Sequence, residues 1–410
     1  MFWHVLVELS SEKKLDGFLE FKIQNPDLCK IIHPKNGIEI NLNKENNFSV
    51  SLNLTLYAKK LGFTNLDVYL DEKNVGTISS LTILTDETRA VIAKILSISL
   101  IFFNCFIAFM MGTQLSIQAL YSIVKQPVGP IVGFCSQFIL MPMIAYCLII
   151  TFLPSNNRTD DIIRFTFFVC GCCPNGGKSS FWTIIFGGNL NMSVAMTITQ
   201  NIGALFMMPL WIYTLGKNVY NDDSIRIPFL DIIRIICYLI IPALFGMLFI
   251  HFYNHLEKQI QLYMKKVCWI ITAILMSVVL YLYWDTLYYF SWPVIICACF
   301  HPWIGYAMSY FAAWITKREH KDCITISIET GTQNMGIAIL LAMECWGEPT
   351  YNIAAVMPIA LFLTTDKPLL LGWFIMRIKK NLSKNKKKEN LGEINKGFQS
   401  STESSTATIL

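Results

Sequence analysis

The chain has 410 residues, of which 54% are hydrophobic and only 15% charged, where a soluble domain carries about 25% charged residues. Mean hydropathy is +0.47, and several apolar blocks exceed the roughly 18 residues that read as a membrane-spanning helix. A soluble enzyme, a fibrous protein and a disordered chain are thereby excluded, and the formal charge of +5 points to no nucleic-acid partner, because much of it falls in the last thirty-odd residues. The 13 cysteines make no disulfide framework: Cys29 stands alone in the first 90 residues, and the others lie in or beside apolar blocks without a pair of CxxC motifs at zinc spacing. They read as small packing residues.

Residues 1–88 differ in kind from the rest. Leu19, Phe21 and Ile23 alternate with polar neighbours, as do Val50, Leu52, Leu54 and Leu56, and then Leu66, Val68 and Leu70 within the run from Phe63 to Leu70. Turn residues at Asn25-Pro26, Lys35-Asn36-Gly37 and Lys73-Asn74 separate the runs, and such period-2 runs predict short antiparallel strands in a small β-sandwich. Asn47 and Asn53 begin glycosylation sequons, which fits an exofacial or luminal domain. The start, MFWHVLVELSSEKK, is no signal peptide, since its apolar stretch is short, holds Glu8 and lacks a basic beginning. Either the first span carries the domain across or a preceding exon is missing, and the missing exon is the reading preferred.

Nine spans are predicted at 91–113, 128–152, 162–186, 190–215, 229–252, 266–284, 292–316, 322–346 and 351–376. With the first domain outside, the inner loops hold Lys125, then Lys258, Lys265 and Lys266, then Lys317, Arg318 and Lys321, while the outer ones hold Arg158, Lys217 and Arg226. The tail adds Arg377, Lys379, Lys380, Lys384 and Lys386 to Lys388 on the inside. The Lys and Arg excess on one side accords with the positive-inside rule, with the N-terminus out and the C-terminus cytoplasmic. The transporter part is thus expected over 89–377, followed by a disordered basic tail over 378–410 whose lysines would attract anionic lipid headgroups.

Two spans are interrupted. The third contains Gly171-Cys172-Cys173-Pro174-Asn175-Gly176-Gly177 and the eighth Glu329-Thr330-Gly331-Thr332-Gln333-Asn334. Non-helical backbone at membrane depth is tolerated only inside protein or along a cavity. The interruptions lie five spans apart, as in an inverted repeat of five helices per half with one outer helix absent, and such paired breaks point to a secondary transporter's binding site. Two merely kinked helices are the alternative. An intramembrane glutamate costs at least about 2.5 kcal/mol and marks function by default. Glu329 and Gln333 are spaced i, i+4 around Gly331 and would face one point where the segment is near-helical, and Ser193 and Thr197 have the same spacing on the fourth span. Freed carbonyls, hydroxyls, amides and one carboxylate are the oxygen donors that a hard cation such as sodium requires.

The segments GCCPNGGKSS, GGNLNMSVAMTIT and ETGTQNMG together resemble the sodium/bile acid cotransporter family, over about residues 91–380, and the long N-terminal domain resembles its animal branch with large extracellular domains. The resemblance implies an all-α polytopic membrane fold in which a panel domain (first, fifth and sixth spans) faces a core of six spans with two crossing discontinuous helices. It implies a first sodium site of Ser179, Ser193, Thr197 and Glu329, and a second of Gln137, Glu329 and Gln333 with the carbonyls of Thr330 and Thr332. Four positions depart from the pattern. Ser180 stands where the family has Asn, Asn175 where it prefers Gly, Lys178 where it has no charge, and Gly188-Asn189 where Asp is usual. Lys178 reads two ways: it pairs with Glu329 and replaces one sodium, or it turns away into the polar crossing or the cytoplasmic vestibule.

Gly176-Gly177-Lys178-Ser179 lacks the first glycine of a P-loop, having Cys172 there, and no hydrolase signature occurs, so the chain reads as no enzyme. His301 reads as a packed or capping residue. Asp366-Lys367-Pro368 falls mid-span, where neighbours on a helix do not face each other, and reads as charge compensation within the core or as a substrate or proton group. Thr408-Ile409-Leu410 fits a PDZ ligand. The function expected is sodium-coupled uptake of an organic anion, bile-acid or steroid-sulfate-like, at the plasma membrane. A proton-coupled or sodium-independent carrier of the same fold, or a non-transporting receptor or adaptor, are the alternatives.

Overall fold

The computed structural model describes residues 2–10, 15–24, 29–35, 37–42, 49–58, 62–83, 87–113, 127–220, 229–253, 284–345 and 350–379, with isolated positions at 26 and between 255 and 281. Seven strands open the chain: β1 (Phe2–Ser10), β2 (Leu15–Ile23), β3 (Cys29–His33), β4 (Ile38–Leu42), β5 (Ser49–Ala58), β6 (Gly62–Leu70) and β7 (Lys73–Ile83). They form two antiparallel sheets, ordered β1-β5-β3 and β4-β2-β6-β7. Alternation explains the core between them. Val7, Leu52 and Leu54 of the first sheet meet Leu19, Phe21, Ile40, Leu66 and Val68 of the second, while the intervening side chains face out.

The turn between β6 and β7 corrects the sequence reading. It falls at Asp71-Glu72, both at positive φ (47° and 68°), and Lys73 and Asn74 already pair with Leu70 and Tyr69. Two-residue hairpin turns of type I′ need positive φ at both central residues, and Asp71 is held there by Phe18. Its N–H donates to the Phe18 carbonyl at 3.0 Å, and its carboxylate accepts from the Phe18 N–H at 2.9 Å.

The remainder is helical: α1 (Glu87–Gly112), α2 (Val128–Phe152), α3 (Arg158–Cys172), α4 (Ser179–Ile185), α5 (Leu190–Thr214), α6 (Phe229–Phe252), α7 (Trp292–Ile315), α8 (His320–Gly331), α9 (Met335–Cys345) and α10 (Thr350–Lys379). Among the described residues, five stretches are long and apolar enough to cross a membrane: α2, α5, α7, α10 and Ile233–Phe252 of α6. The third and eighth predicted spans are each two shorter helices, α3 with α4 and α8 with α9. Most of the predicted span 266–284 lies outside the described residues.

Small residues bring helices together where lipid offers no hydrophobic drive. A Cβ on Gly112 of α1 would lie 2.0 Å from the Ala243 carbonyl of α6, and one on Gly246 of α6 would lie 2.0 Å from the Phe109 carbonyl of α1. These two backbones are therefore in direct contact. Within α2, Pro142 has no N–H to give the Phe138 carbonyl, and the indole of Trp211 donates to that carbonyl at 2.5 Å instead. The turn just before the proline, Ser136–Leu140, widens to π-helix, a local form common at functional sites. Gln137 sits in that turn, wholly buried.

Candidate functional site

The breaks in the two discontinuous helices meet. α3 stops because Pro174 cannot continue it and turns Cys173 to extended backbone (φ −65°, ψ 148°). After α8, Thr332 is likewise extended (φ −99°, ψ 93°). The two extended segments pair antiparallel at Asn175 and Gln333: Gly176 N–H donates to the Thr332 carbonyl at 2.8 Å, and Asn334 N–H to the Pro174 carbonyl at 2.9 Å. Each break thus satisfies backbone groups that the other strands at depth. The crossing is so tight that a Cβ on Gly176 would lie 2.8 Å from the Gln333 carbonyl.

Glu329, at 0% exposure, lies in the last turn of α8 beside this crossing, and four side chains address its carboxylate. Oε2 accepts from the Asn175 amide, from Ser179 Oγ at 2.9 Å and from Thr197 Oγ1 at 3.3 Å. Oε1 accepts from Ser193 Oγ. Ser193 has one proton and gives it to the carboxylate, so Ser180, whose Oγ is 2.8 Å from Ser193 Oγ, donates to Ser193 and supports the carboxylate from one step behind. None of these partners carries a charge. The arrangement brings together Ser179, Ser193, Thr197 and Glu329 from three helices, as the i, i+4 spacing on α5 requires.

Asn175 is the residue that sequence reasoning missed. Read only as a departure in the break, it is 2% exposed and points its Nδ2 at three oxygens: Glu329 Oε2, Thr197 Oγ1 at 2.9 Å and Ser179 Oγ at 3.4 Å. A carboxylate only accepts, so the nitrogen and not Oδ1 must face Glu329. The family departure at this position was the signal that could have found it.

Gln137 and Gln333 flank the other side of the break. Gln137 Nε2 donates to the Cys173 carbonyl at 2.6 Å, and Gln333 Nε2 to the Gly171 carbonyl at 3.4 Å. Their amide nitrogens are thus spent on the end of α3, while Gln137 Oε1, Gln333 Oε1 and Thr330 Oγ1 are buried with no hydrogen-bond partner. A helix continuing through this point would also give the Asn334 N–H to the Thr330 carbonyl, but that N–H goes to Pro174. Buried oxygens left without donors demand an occupant, and an all-oxygen set suits a hard cation. By contrast, every hydroxyl of Ser179, Ser180, Ser193 and Thr197 has a partner. Among the described residues no group of three His, Cys, Asp or Glu side chains is placed to hold a metal ion.

Lys178 does not pair with Glu329. Its Nζ lies 2.9 Å from Asp366 Oδ2 and 4.7 Å from the centre of the Phe362 ring, both on α10. At the N-cap of α4, Lys178 sits one residue before Ser179 and so points off a different side of the helix. Asp366 correspondingly takes its counter-charge from Lys178 rather than from its neighbour Lys367. His301 is buried between the Met141 carbonyl, 3.3 Å away, and the Phe167 ring, a packed position. Asn53 stands exposed on β5, whereas Asn47 and Thr408 to Leu410 lie outside the described residues.

Residues 100–288 match the family model described as Sodium Bile acid symporter family. The chain is 31% identical over 236 residues to the sodium-dependent organic anion transporter of Bos taurus, covering 55% of this chain and 59% of that protein. It therefore spans less than two thirds of the bovine protein's length. It is 27% identical over 326 residues to the ileal sodium/bile acid cotransporter of Homo sapiens, 77% of this chain and 90% of that protein, and 27% identical over 330 residues to that of Cricetulus griseus, 76% and 91%. These matches agree with the resemblance carried by the three motifs around the crossing: over residues 100–288 the chain is similar to the sodium bile acid symporter family.

Proposed function

We propose that the protein is a multi-pass membrane carrier, not an enzyme, that couples inward sodium flow to uptake of an organic anion by alternating access. The observation that carries this reading is a buried carboxylate with neutral partners only, beside three buried oxygens that have no donor, at the crossing of two broken helices. A bare carboxylate at membrane depth is costly, and a bound cation offsets that cost. Gln137 Oε1, Gln333 Oε1 and the Thr330 hydroxyl, with the Thr330 and Thr332 carbonyls and Glu329, would hold the sodium ion. Ser179, Ser193 and Thr197 fix the carboxylate's orientation, so that ion and protein meet in one geometry. Because both breaks line the same site, its occupancy bears on the crossing itself, which is how ion binding would bias the inward and outward arrangements.

The substrate class comes from the relatives, whose names specify bile acids and organic anions. Bile acids and steroid sulfates are the amphipathic anions to test first. The distribution of Lys and Arg supports the N-terminus outside and the tail in the cytoplasm, and the plasma membrane is the membrane to test first. Cells expressing the chain should take up a labelled bile acid or steroid sulfate in sodium medium and not when choline replaces sodium. Glu329→Gln, delivered equally to the surface, should lower that uptake at least about tenfold. Equal uptake in choline, or an active Glu329→Gln variant, contradicts the proposal.

A further inference from the structure

We infer that the side-chain amide of Asn175 takes the place of one of the two cations that the crossing could hold, so that this carrier binds a single sodium ion. The inference rests on the sodium-coupled reading above. The oxygens expected to form one cage, on Glu329, Ser179 and Thr197, all converge on Asn175 Nδ2. An amide NH2 carries two protons, each with partial positive charge. It offers Glu329 and Thr197 what a small cation would offer them, a positive centre within hydrogen-bond reach, without a net charge. The other members of the cage are hydrogen-bonded among themselves, Ser193 to Glu329 and Ser180 to Ser193, while Oδ1 of the Asn175 amide is left without a donor.

The contrast with the other cage is chemical. There, two amide oxygens and a hydroxyl are buried with nothing to accept from. The oxygens around Glu329 hold the chain's own amide, whereas those of Gln137, Gln333 and Thr330 have no donor. The position of Asn175 makes this possible only in the extended break, where its pairing with Gln333 points the side chain away from the partner strand and towards α5 and α8.

The test is the number of sodium ions bound by the purified full-length chain, counted with radiolabelled sodium at saturation. Wild type should bind one ion per chain with a Hill coefficient of about one. Asn175→Gly, which removes the amide but keeps the backbone free to cross, should bind two. Asn175→Asp, which keeps the shape and replaces the donor by an acceptor, should also bind two and provides the answer if the glycine variant folds poorly. Two ions bound by wild type overturn the inference while leaving sodium coupling intact. One ion in wild type and still one in both variants also overturns it, since the amide would then not be the substitute. No ion bound by any of them overturns this inference together with the sodium-coupled reading beneath it.

Discussion

Side-chain reach separates Lys178 from Asn175, two of the departures at the break. Lys178 is long enough to leave the site and ends on Asp366 at 2.9 Å, whereas Asn175 is short and stays within it. The Lys178–Asp366 pair is less than one-fifth exposed on either side, and removing one partner of such a pair leaves an uncompensated charge costing about 3 kcal/mol. Lys178→Ala and Asp366→Ala should each lower the thermal unfolding temperature in detergent, and the double variant should lie closer to wild type than either. Additive losses in the double variant would show that the two charges are not partners. The same substitutions should leave the sodium Hill coefficient unchanged, because Lys178 does not touch Glu329. Ser193 and Thr197 were legible in the sequence through their i, i+4 spacing and Glu329 through the cost of a carboxylate in lipid, but the i, i+4 reading of Glu329 and Gln333 fails, because α8 ends at Gly331 with Thr332 extended and Gln333 turns to the Gly171 carbonyl. The Lys178–Asp366 contact was not, since it joins residues 188 apart, and no local pattern encodes which of two acids a lysine will reach.

At the level of elements, the crossing depends on backbone meeting backbone. Gly176→Ala would press a Cβ to 2.8 Å from the Gln333 carbonyl, so the two breaks must separate, at a cost of about 1–3 kcal/mol. Sodium-dependent uptake per molecule at the surface should fall several-fold, on the order of that energy; unchanged uptake would show that the close approach is not needed. The positions of α2, α5, α6, α7 and α10 could be read from hydropathy, because a spanning helix needs a long apolar stretch. Irregular detail was harder to read. The opening strand β1 was overlooked because residues 2–10 were weighed as a leader, although they pair with β5 along their whole length. The Asp71-Glu72 turn was missed because it lacks glycine and asparagine and is held instead by contacts to Phe18, 53 residues away.

For the whole molecule, topology and stoichiometry set what the carrier can achieve. The proposed placement of the N-terminal domain outside the cell would leave Asn53, exposed on β5, open to glycosylation. A glycosidase-sensitive gel shift should therefore shrink in Asn53→Gln, and full retention of the shift with Asn47→Gln and Asn53→Gln combined would place the domain or its glycans elsewhere. With one sodium ion and a monoanion no net charge moves, so a tenfold sodium gradient supplies about 1.4 kcal/mol and concentrates substrate about tenfold at most. Two ions would add the membrane potential, at about 2.3 kcal/mol per charge per 100 mV.

The coupling itself is tested most directly by purified protein in liposomes loaded without sodium and given an inward sodium gradient with a labelled bile acid or steroid sulfate outside. The account predicts transient accumulation above the equilibrium level, abolished when sodium is equal on both sides and absent in Glu329→Gln. Accumulation that is the same under a choline gradient, or that survives in Glu329→Gln, would contradict it.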